Sequence, residues 1–247
     1  MDSLYIIIPA YNEAENIAST IEEWYDVIEE HSGDGRSRLV IIDDGSSDST
    51  LEIIEKEKES KPQLEVITKE NGGHGSSIYQ GYLYAISKGA DYIFQTDSDG
   101  QTLASEFEQF YGARKDYEFQ IGDRVSREDG FTRRVVSFCV RCAVLLTFGT
   151  RERDVNTPYR LIGRDALATA LQYIPENFNL TNVAMTGIFG CMSKGKCKGQ
   201  KEIRMRFVPI SFRPRQGGKN SINLFKIVKI GMRALRELRS IRHNLGK

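Results

Sequence analysis

Four short apolar runs, each followed by a helical pattern, occupy the first hundred residues and restrict the folds that this chain can adopt. The apolar runs are LYIII at 4–8, LVII at 39–42, LEVI at 64–67 and YIFQ at 92–95. Strands that alternate with helices at this spacing are typical of parallel βαβ units. Continuous apolar runs are what a parallel strand requires when helices cover both faces of its sheet. The pattern therefore predicts an α/β fold with a mostly parallel open sheet and helices on both faces.

The remaining elements are predicted from periodicity and turn signals. Helices are predicted at about 13–30, 48–60, 74–88, 131–147, 164–172 and 181–194, and further strands at 119–122 and 201–212. A basic amphipathic helix begins at about residue 222 and closes the chain. Because the sequence contains no repeats and no long linker, we expect a single domain over 1–247. Its first half is 1–115, a more variable second half is 116–221, and the basic helix is 222–247.

The N-terminal sequence and the hydrophobic content predict a cytoplasmic protein. The first residues, MDSLYIIIPAYNE, have no basic segment, and their apolar run stops at Pro9, so no signal peptide is predicted. No run approaches the roughly 18 apolar residues that a membrane helix needs. Cys139 and Cys142 form a CxxC within VSFCVRCAVLL, which the apolar pattern predicts to be a buried helix. Core thiols are therefore favoured over zinc or redox use.

The zero net charge conceals a basic C-terminus. From Lys219 to Lys247 there are eight Lys or Arg residues and one acid, Glu237, so this segment carries about +7 and the rest about −7. Its apolar residues recur at mostly helical spacing: Leu224, Val228, Leu235, Leu238 and Ile241. A basic amphipathic helix suits an anionic membrane surface. The alternative is a helix that packs on the domain with a solvated face. Nucleic acid is not an expected partner, because the rest of the chain is acidic.

Three of the four early strands end in polar residues suited to one ligand. These strand ends are PAYNE at 9–13, DDGSSDST at 43–50 and TDSDGQT at 96–102. In open α/β sheets, ligands bind beyond the carboxyl ends of the strands. Taken alone, DDGSSDST could be only a turn at Gly45 and a helix cap at Asp48. The chain has neither a G-x-G-x-x-G after its first strand nor a G-x-x-x-x-G-K-[ST], which disfavours a dinucleotide site and a P-loop.

Asp97 and Asp99 are two like charges with only Ser98 between them. Nearby carboxylates repel one another unless a positive charge lies between them. Hard cations such as Mg²⁺ and Mn²⁺ prefer carboxylate oxygens and keep substrate phosphate in their coordination shell. We therefore predict a site for Mg²⁺ or Mn²⁺ that also neutralises a diphosphate. The small residues Ser98 and Gly100 would allow a close approach of the backbone to that diphosphate.

Four segments, in this order, resemble a known family: IIIPAYNEAENI, VIIDDGSSDST, NGGHGSSIYQG and TDSDGQT. They resemble the nucleotide-sugar half of the family 2 inverting glycosyltransferases, which have a GT-A fold, and they cover about residues 4–102. DVNTPYRLIGRDAL and VPISFRPRQGGKNS extend the resemblance toward polyprenyl-phosphate sugar transferases of the dolichol-phosphate mannosyltransferase type.

The resemblance implies a metal-dependent inverting transferase that moves a sugar from a nucleotide sugar to an acceptor. The expected acceptor is a polyprenyl phosphate or another membrane-associated glycan precursor, reached by a cytoplasmic protein that lies peripherally at the membrane. Two alternatives are open. One is a transferase that acts on a soluble or polysaccharide alcohol. The other is a non-catalytic nucleotide-sugar-binding partner subunit.

The resemblance also implies roles for individual residues. The residues implied for the nucleoside pocket are Pro9, Tyr11, Glu13, Ile42 and Asp44. Those implied for the diphosphate are Ser98, Gly100, Gln101, Arg124 and Arg215, and those for the metal are Asp97 and Asp99. The family has a lysine six residues after the position of Arg215, where this chain has Ser221, and Lys219 is the proposed substitute.

Asp154 matches a carboxylate near the acceptor in that family, and Arg160 follows it on the acceptor side. Asp154 is the candidate general base for an alcohol acceptor, whereas it would only orient a phosphate acceptor, which is already anionic. The alternative for Asp154 is a salt bridge to Arg151, Arg153 or Arg160. His74, in NGGHG, either points to the site or caps the following helix.

Overall fold

The structure is a computed structural model that describes residues 2–124, 131–197, 199–213 and 224–246, without the side chains of 131–135 and 224–234. Within the described residues, one sheet contains seven strands. They are β1 Leu4–Ala10, β2 Arg38–Asp43, β3 Leu64–Thr68, β4 Tyr92–Gln95, β5 Phe119–Arg124, β6 Arg160–Gly163 and β7 Met205–Ile210. Arg215 and Lys219, both predicted for the site, lie outside the described residues.

The helices alternate with the strands along the first half of the chain and follow one another more closely in the second. They are α1 Ile17–Glu30, α2 Thr50–Lys58, α3 His74–Ser87, α4 Glu108–Tyr111, α5 Phe131–Phe148, α6 Arg164–Leu171, α7 Thr181–Met192 and α8 Leu224–Leu245. A short 3₁₀ turn over Ala104–Glu106 precedes α4. In the described residues, every helix is either too short or too polar to cross a bilayer.

The strand order is β3-β2-β1-β4-β6-β5-β7. The pairs β1/β2, β2/β3, β1/β4 and β5/β7 are parallel, and β6 runs antiparallel to both of its neighbours, β4 and β5. β7 lies at the edge of the sheet, where Pro209 is tolerated because an edge strand leaves one side unpaired. The predicted α/β fold with a mostly parallel open sheet is confirmed.

Two hydrophobic cores cover the two faces of the sheet, and side chains of one strand alternate between them. In β1, Ile7 belongs to the core that contains residues of α3, α5, α6, α7 and α8. Its neighbours Ile6 and Ile8 belong to the core that contains residues of α1 and α2. This alternation is why the strand is apolar at every position, since both of its faces are buried.

The sequence did not predict β6. Its four residues run directly into α6, so the sequence shows no turn that separates strand from helix. The apolar character of the segment around Cys139 was also misjudged, because α5 is not buried on all sides. Cys139 is exposed and Cys142 is half-buried, whereas Val144 and Phe148 lie in the core. The other two cysteines, Cys191 and Cys197, form a disulfide at the end of α7.

The C-terminal helix α8 packs on the domain over the part whose side chains are described. Leu238, Ile241 and Leu245 are fully buried in the core shared with α5 and α7, while Arg236 and Arg239 point to solvent. The apolar stripe over this part of the helix therefore serves the core. The prediction that this stripe meets a membrane is wrong for Leu238 and Ile241, because burial in the domain already removes them from water.

A close approach of two backbones fixes the start of α3. A Cβ atom on Gly75 would lie 2.2 Å from the main-chain oxygen of Phe178 and 2.7 Å from the main-chain carbon of Asn179. The hydroxyl of Thr181 donates to the main-chain oxygen of Gly75 at 3.1 Å, which holds the two segments together. Only glycine fits at this contact, because the atoms that a side chain would meet belong to main chain.

We expect Gly75→Ala to lower the free energy of unfolding by about 2 kcal/mol or more, because the added methyl group overpacks a contact that cannot relax by side-chain rotation. Gly163→Ala is the matched control. Gly163 has φ −71°, and its nearest neighbour to an added Cβ is the oxygen of Glu118 at 3.8 Å. Urea unfolding of both variants measures the effect, and equal stabilities would contradict the assignment.

Candidate active site

The antiparallel strand β6 gathers the predicted site residues at one edge of the sheet. Its first residue, Arg160, pairs with Gln95 at the end of β4 and with Ile121 in β5. Because β6 runs antiparallel, the chain that enters it lies at the edge where β4 and β5 end. The turn after β4 carries Asp97 and Asp99, the end of β5 carries Arg124, and the segment before β6 carries Asp154. The fold thus brings these four residues to the same edge.

The loops after β1 and β2 are joined by hydrogen bonds. Asn12, which adopts the left-handed conformation with φ 53°, donates its main-chain N–H to the Ser46 hydroxyl at 3.0 Å and accepts from the Ser47 N–H at 2.8 Å. The N–H of Glu13 donates to the Thr50 hydroxyl at 2.9 Å. Sequence reasoning missed Asn12 and Thr50, although Asn is one of the few residues that tolerate this backbone conformation. The two loops therefore form one unit at the carboxyl edge of the sheet.

The residues predicted for the nucleoside pocket lie in different environments. Tyr11 is 49% exposed, so its ring is available to stack on a base. Pro9 is buried within β1, and Glu13 is half-buried, with its carboxylate accepting from the Asn16 side chain at 3.0 Å. Ile42 is fully buried and belongs to the same core cluster as Ile7. Only the main chain of Ile42 could therefore make the predicted contact with a base or ribose.

Asp44 is buried and uses its carboxylate to hold the loop that precedes α3. Its oxygens accept from the N–H groups of Gly72 and Gly73 at 2.9 and 2.8 Å and from the ammonium group of Lys69. Burial on its own would raise the pKa of Asp44, but these hydrogen bonds outweigh it, and the pKa is lowered. A direct contact with a ribose or base was predicted for Asp44. The structure shows instead a carboxylate engaged in organising the NGGHG loop.

Asp97 and Asp99 lie in a turn beyond the end of β4 rather than on the strand itself. The Nε2 atom of His74 lies 3.0 Å from Oδ1 of Asp97. The side chain of His74 is half exposed yet densely surrounded by protein. Desolvation lowers the pKa of His74, but the charges of Asp97 and Asp99 outweigh it and raise the pKa. The structure therefore settles the open question about His74, which points to the site.

The rest of this turn is fixed by main-chain geometry. Gly100 has φ +67°, a conformation that favours glycine, and Ser98 is buried with its carbonyl accepting from Thr20 at 3.1 Å. Gln101 pairs with the main chain of Arg213. The side-chain amide of Gln101 donates to the main-chain oxygen of Arg213 at 2.9 Å, and the main-chain oxygen of Gln101 accepts from the Arg213 N–H at 2.8 Å. Arg213, two residues before Arg215, thus lies beside the acidic turn.

Arg124 and Asp154 form a bidentate ion pair. The Nε atom of Arg124 lies 2.6 Å from Oδ2 of Asp154, and a terminal nitrogen lies 2.9 Å from Oδ1. Both side chains are largely buried, at 7% and 11% exposure. The guanidinium group also lies over the ring of Phe212, 4.9 Å from its centroid. A salt bridge was the alternative for Asp154, but its partner is Arg124 rather than the three arginines close to it in sequence.

Arg160 is fully buried and serves the main chain. Its guanidinium group donates to the carbonyl oxygens of Thr157 at 2.6 Å, Asn182 at 2.8 Å and Val155 at 3.2 Å. Burial lowers the pKa of Arg160 to about 10, although the charges of Asp154 and Asp97 act in the opposite direction. An acceptor-side contact was predicted for Arg160. Its buried position assigns it instead to holding the segment that carries Asp154.

The chemistry of the acidic turn fits a hard divalent cation. Two carboxylates, Asp97 and Asp99, follow one another in a turn whose glycine allows a tight backbone, and both act on the charge of His74. Carboxylate oxygens are the ligands that Mg²⁺ and Mn²⁺ prefer, and such ions commonly complete their shell with substrate phosphate. The side chain of Asp97 is about one-quarter exposed, so it is accessible from solvent.

The sheet topology and the acidic carboxyl edge define a GT-A glycosyltransferase fold. Residues 5–170 match the family described as Glycosyl transferase family 2, and the chain belongs to this family.

Relatives of known function cover most of the chain. Glycosyltransferase AglJ of Haloferax volcanii is 27% identical over 89% of this chain and 66% of its own length. The dolichyl-phosphate beta-glucosyltransferase of Saccharomyces cerevisiae is 24% identical over 91% of this chain and 71% of its own length. The undecaprenyl-phosphate mannosyltransferase of Micrococcus luteus is 25% identical over 88% of this chain and 86% of its own length.

Solved structures share the fold at lower identity. Glucosyl-3-phosphoglycerate synthase from Mycobacterium tuberculosis, in complex with Mn²⁺, UDP and glucosyl-3-phosphoglycerate, has a TM-score of 0.66 and 15% identity. The match covers 98% of this chain and 80% of that one. TarS of S. aureus with UDP has a TM-score of 0.53 and 17% identity over 83% of this chain and 60% of that one. These likenesses concern the fold.

We expect Asp44→Asn to destabilise the protein by about 2 kcal/mol at pH 7, because three donors lose a charged acceptor. A carboxyl group whose pKa is lowered by folding stabilises the native state fully above its ordinary pKa of about 4. That contribution is lost as the pH falls through the lowered pKa of the folded state. The difference between wild type and variant should therefore stay constant from pH 7 to about 5 and shrink below about 4.

Urea unfolding at each pH measures this difference, with Asp26→Asn on the exposed side of α1 as the matched control. A stability difference that is absent at pH 7, or unchanged at pH 3.5, would contradict the role of Asp44.

Proposed function

We infer that this chain transfers a sugar from a nucleotide-sugar donor to a polyprenyl phosphate, with inversion at the anomeric carbon and with the help of Mg²⁺ or Mn²⁺. The proposal rests on the Arg124–Asp154 ion pair, which lies at the same sheet edge as the acidic turn. The site thus offers a cation and a carboxylate already paired with each other. This arrangement suits an acceptor that is already anionic.

On the donor side, the proposal assigns the nucleoside to the wall formed by the joined loops after β1 and β2. Tyr11 is exposed there and is the stacking candidate, with Pro9 and Glu13 beside it. The ordered NGGHG loop, held by Asp44, places His74 against the acidic turn. The diphosphate would then lie along Ser98 and Gly100, with Gln101 fixing the turn. A divalent cation held by Asp97 and Asp99 would supply charge neutralisation to the leaving nucleoside diphosphate.

On the acceptor side, the role of Asp154 follows from its pairing with Arg124. Taking a proton from an alcohol would require Asp154 to break a largely buried bidentate pair, which is costly. A phosphate acceptor has no proton to lose at its nucleophilic oxygen. In that reaction Asp154 keeps Arg124 oriented, and Arg124 meets the negative charge of the acceptor or the diphosphate. Arg215 and Lys219 remain further candidates for these anions.

Two relatives support a lipid-phosphate acceptor, since one is a dolichyl-phosphate and the other an undecaprenyl-phosphate sugar transferase. Such an acceptor lies at a membrane, so the proposal includes peripheral association of a cytoplasmic protein with the bilayer. An alcohol acceptor is the competing proposal, and a transfer assay with phosphate and alcohol acceptors distinguishes the two.

Thermal unfolding with Mn²⁺ and a panel of UDP-, GDP- and TDP-sugars should identify the donor. A ligand at a hundred times its Kd stabilises the folded state by about 2.7 kcal/mol. For a chain of this size this corresponds to a rise in Tm of about 5–10 °C. In Asp97→Asn and Asp99→Asn the part of the rise that depends on Mn²⁺ should disappear, whereas Asp26→Asn should behave as wild type. A rise that survives in both variants would remove the metal assignment.

Asp154→Asn should retain donor binding and lose about a hundredfold in the turnover of sugar transfer, since it disturbs the positioning of Arg124. The readout is transfer of labelled sugar to a short-chain polyprenyl phosphate, with the corresponding polyprenol and soluble sugars as alternative acceptors. Asp165→Asn, at a nearly fully exposed carboxylate, is the control. Unchanged turnover in Asp154→Asn, or transfer to the alcohols alone, would argue against the proposed reaction.

A further inference from the structure

Helix α5 presents an apolar face to solvent. Phe138 is 59% exposed, Leu145 is 44% exposed and Leu146 is 77% exposed. Cys142 shares this face, because residues at i, i+4, i+7 and i+8 lie on one side of a helix. We call Phe138, Cys142, Leu145 and Leu146 the α5 surface. The opposite side of the helix, which contains Val144 and Phe148, is buried in the core, so the helix has apolar residues on both sides.

A helix face that water covers normally carries polar side chains, and grouped exposed apolar residues mark interaction sites. In the described part of the chain, five large hydrophobic side chains are exposed. Three of them lie on α5, and the other two are Tyr11 and Leu83. Tyr11 has a place in the proposed donor pocket. We therefore expect the α5 surface to contact a separate partner.

Charge identifies the kind of partner. The sequence of α5 contains Arg133, Arg134 and Arg141 and no acidic residue. Helix α8, which packs beside α5, contains six Lys or Arg residues and one acid, Glu237. The two helices together carry nine basic residues against one acidic residue, so the remaining chain has 25 basic and 33 acidic residues. One helical layer is thus about +8 and the rest of the protein about −8.

We propose that the α5 surface inserts into the interface of an anionic phospholipid bilayer, with the exposed Arg141, Arg236 and Arg239 facing the lipid headgroups. An interfacial helix combines an apolar face with flanking Lys and Arg residues, and here two adjacent helices divide these tasks. α5 supplies the apolar side chains, and the exposed Arg141, Arg236 and Arg239 supply charge. The acidic remainder of the chain is repelled by the same surface, which fixes the orientation.

The position of α5 in the chain connects the proposed bilayer contact to the candidate site. The chain leaves the site at Arg124, the last residue of β5, and returns to it at Asp154, with α5 between them. A bilayer bound at α5 therefore lies on the segment that joins the two members of the ion pair. This inference rests on the peripheral membrane association included in the proposed function. Its test is separate from the test of sugar transfer, because vesicle binding needs neither a donor nor an acceptor.

The experiment is flotation of the full chain with phosphatidylcholine vesicles that contain or lack phosphatidylglycerol. We expect flotation with the anionic vesicles at low salt, weaker flotation at high salt because the electrostatic part is screened, and little with neutral vesicles. Leu145→Ser combined with Leu146→Ser should lower the vesicle partition coefficient about tenfold or more, since two leucine side chains no longer leave water. Leu83→Ser is the matched control, because Leu83 on α3 has the same 44% exposure as Leu145.

Native thiols give a second measurement that needs no variant. Cys139 and Cys142 are the free cysteines of α5, and Cys139 is exposed. Anionic vesicles should slow the reaction of these thiols with a water-soluble maleimide at least about fivefold if the helix enters the interface.

Three results would each overturn the proposal. They are equal flotation of wild type and the double variant, thiol reactivity that bound vesicles leave unchanged, and a failure of wild type to bind anionic vesicles. A protein that is dimeric in solution, becomes monomeric in the double variant and ignores vesicles would assign the α5 surface to a second copy of the chain instead.

Discussion

The buried guanidinium group of Arg160 supports the geometry of the candidate site. Burying a charge in a protein interior is costly unless it is hydrogen-bonded and electrostatically balanced. Here three carbonyl oxygens accept from the group, and Asp154 and Asp97 lie near enough to favour its charge. These carbonyls belong to the segment before β6 and to α7. The Arg160 side chain therefore ties the segment that carries Asp154 to α7.

The antiparallel insertion of β6 explains why residues from the two halves of the chain meet at one edge of the sheet. A sheet of parallel strands alone would send the chain away from the carboxyl edge through each crossover helix. β6 runs in the opposite direction, so the segment that precedes it passes over that edge beside β4 and β5. In the proposed function, the donor side is built by the loops after β1, β2 and β4, and the acceptor side by Arg124 and the segment before β6. The proposed division of labour follows from this topology.

Sequence reasoning recovered the elements whose physical signal is local. Strands β1 to β4 were predictable because burial on both faces makes them continuously apolar, and the acidic turn after β4 was predictable from its residue types. β6 was not, since four residues that run into a helix leave no pattern. The main-chain hydrogen bonds of Asp44 and Arg160 were also not predicted, because their partners belong to other segments, such as Gly72 for Asp44 and Asn182 for Arg160. For α5, periodicity predicted a helix but did not reveal that one apolar face lies outside the core.

The hydrogen bonds that join the loops after β1 and β2 also bear on protein engineering. Asn12 bonds both Ser46 and Ser47, and Asp44, at the end of β2, holds the loop before α3. Three stretches that are far apart in sequence are therefore one mechanical unit at the carboxyl edge of the sheet. A graft that exchanges only one of them would leave hydrogen-bond donors and acceptors of the other two without partners. Under the proposed function, redesign of donor preference in this scaffold has to transplant the three loops together.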